Sequence, residues 1–107
     1  MATLIIHAPR TMVEQERKRS FQETLQSGIG DGYAIPKGVC DELIFGSDAV
    51  VLLDKVDKRR AEGTLEKLVE NGETESHMKR YDVHIKGLRE VEYKSERLGR
   101  TGVSVIW

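Results

Sequence analysis

The chain is expected to adopt an α+β fold: a small, mostly antiparallel β-barrel or pseudo-barrel of five to six strands, with one main helix after the first strand. Three observations lead there. Val50 to Leu53 form an unbroken apolar run bounded by Gly46 and Asp54, short enough to read as a buried strand rather than a helix. Tyr81, Val83 and Ile85 alternate with Asp82, His84 and Lys86, the period of a half-buried strand. Gly63 and Gly87 interrupt strand patterns, where a missing side chain marks a bulge or a close backbone approach that curves a sheet.

In chain order, Thr3 to Ala8 is the first strand, stopped by Pro9, which cannot donate to a ladder. Arg10 to Ser27 is expected to be the helix, with Thr11 as N-cap, Glu14 completing a capping box and Gly28 at the stop. Its apolar stripe of Val13, Phe21 and Leu25 is narrow, so it should lie against the sheet by one edge. The GIGDG segment at 28–32 follows a helix and precedes extended chain. A phosphate-cradling glycine loop needs the reverse order, so a C-cap and tight turn are expected, with a short extended piece at Tyr33–Ile35. Val39 to Phe45 suits one helical turn, with Val39, Leu43 and Ile44 pointing inward. A hairpin follows: strand Ala49–Asp54, charged turn Lys55–Arg60 and strand Ala61–Val69. Glu70 to Lys79 is polar and is expected to be a mobile loop. Arg80 to Tyr93 is a strand whose phase slips at Gly87, and Val103 to Trp107 closes the sheet with Val103, Val105 and Trp107 on one face.

The 107 residues are expected to form a single domain. Lys plus Arg (17) nearly cancel Asp plus Glu (18) for a net charge of −1, so any affinity for phosphate must come from a local patch rather than a basic balance. A single cysteine, Cys40, excludes an internal disulfide and fits a reducing compartment. The MATLIIHAPR start lacks the pattern of a secretion signal, and no apolar run is long enough for a bilayer. A cytoplasmic protein with no membrane partner is expected.

Chemistry-bearing constellations are sparse. His7, His77 and His84 share no ligand spacing with one another or with Cys40, so no metal is expected. The serines lack a nucleophile-elbow context and no carboxylate lies in an apolar run that would raise its pKa. No catalytic residues and no cofactor are assigned. The basic turn holds Lys55, Lys58, Arg59 and Arg60 against Asp54 and Asp57. Such a turn either contacts a nucleic-acid backbone or is a solvated tip whose charges discourage edge pairing. Most of the six aromatics are needed for the core. Tyr33, in its glycine-rich surroundings, could offer a face to a base, and Trp107 could cover a pocket or plug one.

FGSDAVVLLDK resembles the entry strand of PUA-like domains, including the EVE and ASCH branches, with one residue inserted between Gly46 and Asp48. RRAEGTLEKLV and KRYDVHIKGLREVEY are similar to their next two strands. The resemblance implies a compact pseudo-barrel that binds RNA or a modified base in DNA, without catalysis. It further implies a cleft near the end of the first strand lined by His7, Arg10, Tyr33 and Trp107, with Lys55, Lys58, Arg59 and Arg60 on the nucleic-acid backbone. A second stretch, YAIPKGVCDELIFGSDAVVLL, resembles AbrB-like swapped-hairpin domains and implies a DNA-binding dimer. A protein-interaction or regulatory module is the remaining alternative, and the oligomeric state stays open.

Overall fold

The computed structural model describes residues 2–8, 19–96 and 103–107. Six strands occur in chain order: β1 (Thr3–His7), β2 (Ile29–Ala34), β3 (Ala49–Asp54), β4 (Arg59–Glu73), β5 (Lys79–Val91) and β6 (Val103–Ile106). Two short helices, α1 (Phe21–Ser27) and α2 (Lys37–Glu42), flank β2. All strands lie in one sheet in the order β2-β5-β4-β3-β1-β6. Every ladder is antiparallel except β1 with β3, which run parallel with Leu4 opposite Val50 and Ile6 opposite Leu52. The parallel pair follows from the long connection between those strands, which must return the chain to its starting end.

The sheet curls into a half-barrel around one core. Leu4, Ile6, Val50, Leu52, Leu65 and Val83 point to the concave side, packed with Phe21, Tyr33 and Ile35. Burying each Leu, Ile or Val of this kind is worth ~1.5–3 kcal/mol. On the convex side Ile5, Val51 and Leu53 form a second, smaller cluster covered by Tyr93. Both clusters follow from the unbroken apolar runs of β1 and β3, since alternate side chains of a strand face opposite ways.

Several expectations are refined. Strand Ala49–Asp54 is as expected, but its partner β4 starts at Arg59, inside the expected turn, and runs on to Glu73, so Glu70–Glu73 belong to a strand rather than a mobile loop; β5 starts one residue earlier than expected and ends at Val91 rather than Tyr93. The tip beyond them is ordered by Thr74, whose amide donates to the Met78 carbonyl (2.8 Å) and whose hydroxyl accepts from the Met78 amide (3.1 Å). The segment 29–34 is strand β2, not a loop with a short extended piece.

A helix running unbroken from Arg10 to Ser27 is ruled out. Ser20 is extended (ψ 173°) and is itself the N-cap, exchanging capping-box bonds with Glu23. Arg10, Thr11 and Glu14 lie outside the described residues. Gly28 ends α1 in the left-handed conformation (φ 73°), its amide bonded to the Thr24 carbonyl, as the C-cap expectation required. Ile44 does not point inward; it is exposed, while Leu43 is buried. Among the described residues no helix is long and apolar enough to cross a membrane.

Candidate nucleic-acid interface

The β3–β4 turn is rigid for reasons visible in its sequence. Asp54 accepts hydrogen bonds from the amides of Val56 (3.0 Å) and Asp57 (3.1 Å), an Asx turn of the kind aspartate favours. Arg59 donates twice to Glu90 (2.9 and 2.8 Å) and once to Gln22 (2.9 Å), and its guanidinium lies 4.5 Å from the centroid of Phe21. Hydrogen bonding to Glu90 raises the Arg59 pKa, and the same bond lowers that of Glu90. Arg60 points the other way, to the convex face. It is buried, pairing with Glu62 (2.8 Å) and Glu96 (3.1 Å) and donating to the Lys94 carbonyl. Its burial opposes the charge, but the two carboxylates outweigh it and the pKa rises.

The arginines of the basic turn are therefore committed to holding the stem. Arg59 fastens the turn to α1 and β5, and Arg60 fastens the 94–96 segment across the convex face. Lys55 and Lys58 remain without a carboxylate partner among the described residues. The excess positive charge counted along the turn is thus largely neutralised by Glu62, two residues beyond Arg60, and by Glu90 and Glu96, which lie far off in sequence.

The expected cleft residues do not form one site. His7 and Tyr33 do meet: the Tyr33 hydroxyl donates to the His7 carbonyl at 3.2 Å, and the His7 ring Nε2 accepts from the Lys55 amide at 3.2 Å. Tyr33, however, is 1% exposed, so its ring has no face left for a base. The cause is Gly30, where even a Cβ would lie 2.9 Å from the Tyr33 ring and 3.2 Å from Ile6. With no side chain there, the ring folds into the core. Burial, with Asp31 nearby, pushes the phenol pKa well up. Trp107 is 61% exposed and sits beyond Ile106, which pairs with Thr3. It lines a shallow pocket of about 270 Å³ with Ala2, Ile44 and Asp48. That is the opposite end of β1 from His7. Arg10 is outside the described residues.

A larger concavity opens elsewhere. A groove of about 740 Å³ runs over the β4–β5 pair, lined by Phe45, Gly46, Gly63, Thr64, Lys86 and Arg89, with Glu62, Glu66 and Gly87 also on its walls. That volume is within the usual range for ligand sites. Its geometry comes from a bulge. Glu62 pairs with Arg89 and Thr64 with Lys86, so two residues of β4 advance against three of β5. Residues three apart on a regular strand face opposite sides; the extra residue returns Lys86 and Arg89 to one face. Gly87 absorbs the kink at φ 65°, a conformation costly for other residues.

No family model, no curated protein and no solved structure matches this chain. The groove was not anticipated from sequence, although its glycines and the phase slip at Gly87 were. Phe45, assigned to the core by default, is 51% exposed and forms one wall. The groove thus combines an open aromatic ring, two cations without a carboxylate partner among the described residues, and three glycines in its lining. Glu62 is held by Arg60, leaving Glu66 as the groove carboxylate without a described cation.

Proposed function

We propose that this chain is a nucleic-acid-binding module that acts without catalysis, in line with its PUA-like sequence pattern. The observation that supports this best is the groove, whose lining brings Phe45 together with Lys86 and Arg89. An aromatic face beside cations suits a ligand that carries both a flat ring and phosphate. Lys55 and Lys58 supply a second pair of cations, in the turn that leads into β4. The near-neutral net charge makes the affinity modest and dependent on these local contacts.

The test is a fluorescence-anisotropy titration with labelled RNA and DNA oligonucleotides at several salt concentrations. Affinity should fall linearly on a log–log plot against salt, and Lys86→Glu with Arg89→Glu should weaken binding on every sequence and reduce the slope by about two. Absence of binding at low salt, or binding that ignores salt, would overturn the proposal.

A second reading, a protein-interaction module, has its own support. Ile106 on edge strand β6 and Trp107 just beyond it are exposed, Trp107 beside Ile44, and an apolar strand edge is a surface other chains can pair with. Sedimentation that shifts with concentration, together with failed oligonucleotide binding, would favour that reading.

A further inference from the structure

We infer that the groove accepts single-stranded rather than duplex nucleic acid, with one unpaired base lying on Phe45 and the adjoining phosphates held by Lys86 and Arg89; this rests on the nucleic-acid reading above. The Phe45 ring is presented, not merely exposed. Its turn is pinned on both sides: the Gly46 amide donates to the Leu65 carbonyl (2.6 Å), and the Ile44 amide donates to Asp48 (2.8 Å). Asp48 is buried and also accepts from the Ala2 amide (3.1 Å). The backbone that carries Phe45 is thus fixed before binding, which lowers the cost of ordering it for stacking.

The opposite wall is equally fixed. The bulge at Gly87 sets Lys86 and Arg89 on one face of β5, at a register shift in its ladder with β4. A Cβ at Gly46 or Gly87 would meet nothing within 4 Å, so the space between the walls is open at both glycines. Beneath the groove β4 is an interior strand, between β3 and β5, whereas β5 pairs with β2 only as far as His84 and has β4 alone beside it from Lys86 on. β4 has a strand on each side, so an added peptide strand could pair only along the outer side of β5, away from Phe45. Recognition at Phe45 comes from side chains. Base faces in a duplex are covered by their neighbours, whereas a single strand can turn one outward onto an aromatic.

The experiment compares a labelled ten-nucleotide single strand with a blunt duplex of the same sequence, using the full chain and its Phe45→Ala and Phe45→Trp variants. Phe45 is largely exposed, so both variants should keep the wild-type fold by circular dichroism. The single strand should bind about tenfold more tightly than the duplex. Phe45→Ala should weaken single-strand binding about tenfold, a typical loss per stacked base, and leave duplex binding unchanged. Phe45→Trp should restore affinity and show indole quenching on adding the single strand that the parent, carrying only Trp107, does not. Equal or tighter duplex binding, or an unchanged affinity in Phe45→Ala, would overturn this inference while leaving a phosphate-contacting module intact. Failure of both oligonucleotides to bind would remove the nucleic-acid reading together with it.

Discussion

The Tyr33 hydroxyl bonds to the His7 carbonyl although their strands are far apart in the sheet. β2 is one edge and β1 lies next to the other edge, so this contact reaches across the mouth of the half-barrel. It is a direct consequence of curvature: a flat sheet of six strands would hold the two residues about four strand spacings, or roughly 19 Å, apart. Closing the curl thus depends on one buried phenol and on the glycine that makes room for it.

Replacing Tyr33 by Phe should remove that bond at a cost of about 1 kcal/mol, read from the urea midpoint at pH 7. The pH dependence has a definite sign. The folded state raises the Tyr33 pKa by burial, so its neutral form stabilises the fold below the unfolded value of about 10 and that contribution fades as pH rises past it. Wild type should therefore lose stability above pH 10 more steeply than Tyr33→Phe. Parallel curves would show that the phenol is not buried.

Glu90 offers the opposite case. The Arg59 hydrogen bond lowers its pKa, so its contribution is present above the unfolded carboxylate value of about 4.3 and is lost as pH falls below it. Glu90→Gln should be less stable than wild type at pH 7, and the two should converge in acid. Denaturation midpoints between pH 3 and 7 will check this, and a constant gap would contradict it.

How much of this was legible from sequence depends on range. Strand Ala49–Asp54 was readable because four apolar residues between Gly46 and Asp54 suffice to define it. The slip at Gly87 was readable because alternation breaks locally, and the register confirms a bulge there. What could not be read was set by distant partners. Arg59 looks free in the sequence because Glu90 is 31 residues away. Tyr33 and Phe45 exchange the roles expected of them, one buried and one open, because burial of Tyr33 depends on space at Gly30 against Ile6, on another strand. The helix start misled for another reason. Thr11 with Glu14 and Ser20 with Glu23 have the same capping-box spacing, and among the described residues Ser20 is the cap.

Gly63 tests the close approach of β4 and β5. A Cβ there would lie 2.6 Å from Ile85 Cγ2 and 3.0 Å from the Lys86 carbonyl oxygen. Gly63→Ala should therefore destabilise the fold by about 1–3 kcal/mol through overpacking, seen as a lower midpoint on thermal melting. A neutral substitution would mean that the strands separate there easily.

Asp48 links stability to the groove. Its carboxylate takes two amides, those of Ala2 and Ile44, and Asp48→Ala leaves both without a partner. A loss of about 3 kcal/mol is expected, from two charge-assisted bonds, with the Phe45 turn loosened as well. Asp48→Asn, which retains an acceptor, should recover part of the stability measured by urea denaturation.

The most direct test of the central claim, that ligand enters the groove over the β4–β5 bulge, is the amide NMR spectrum recorded as a single-stranded oligonucleotide is added. Shifts should concentrate at Phe45, Gly46, Thr64, Lys86, Gly87 and Arg89, with Ile106 and Trp107 unmoved. Shifts confined to the β6 edge, or a spectrum that does not change, would contradict it.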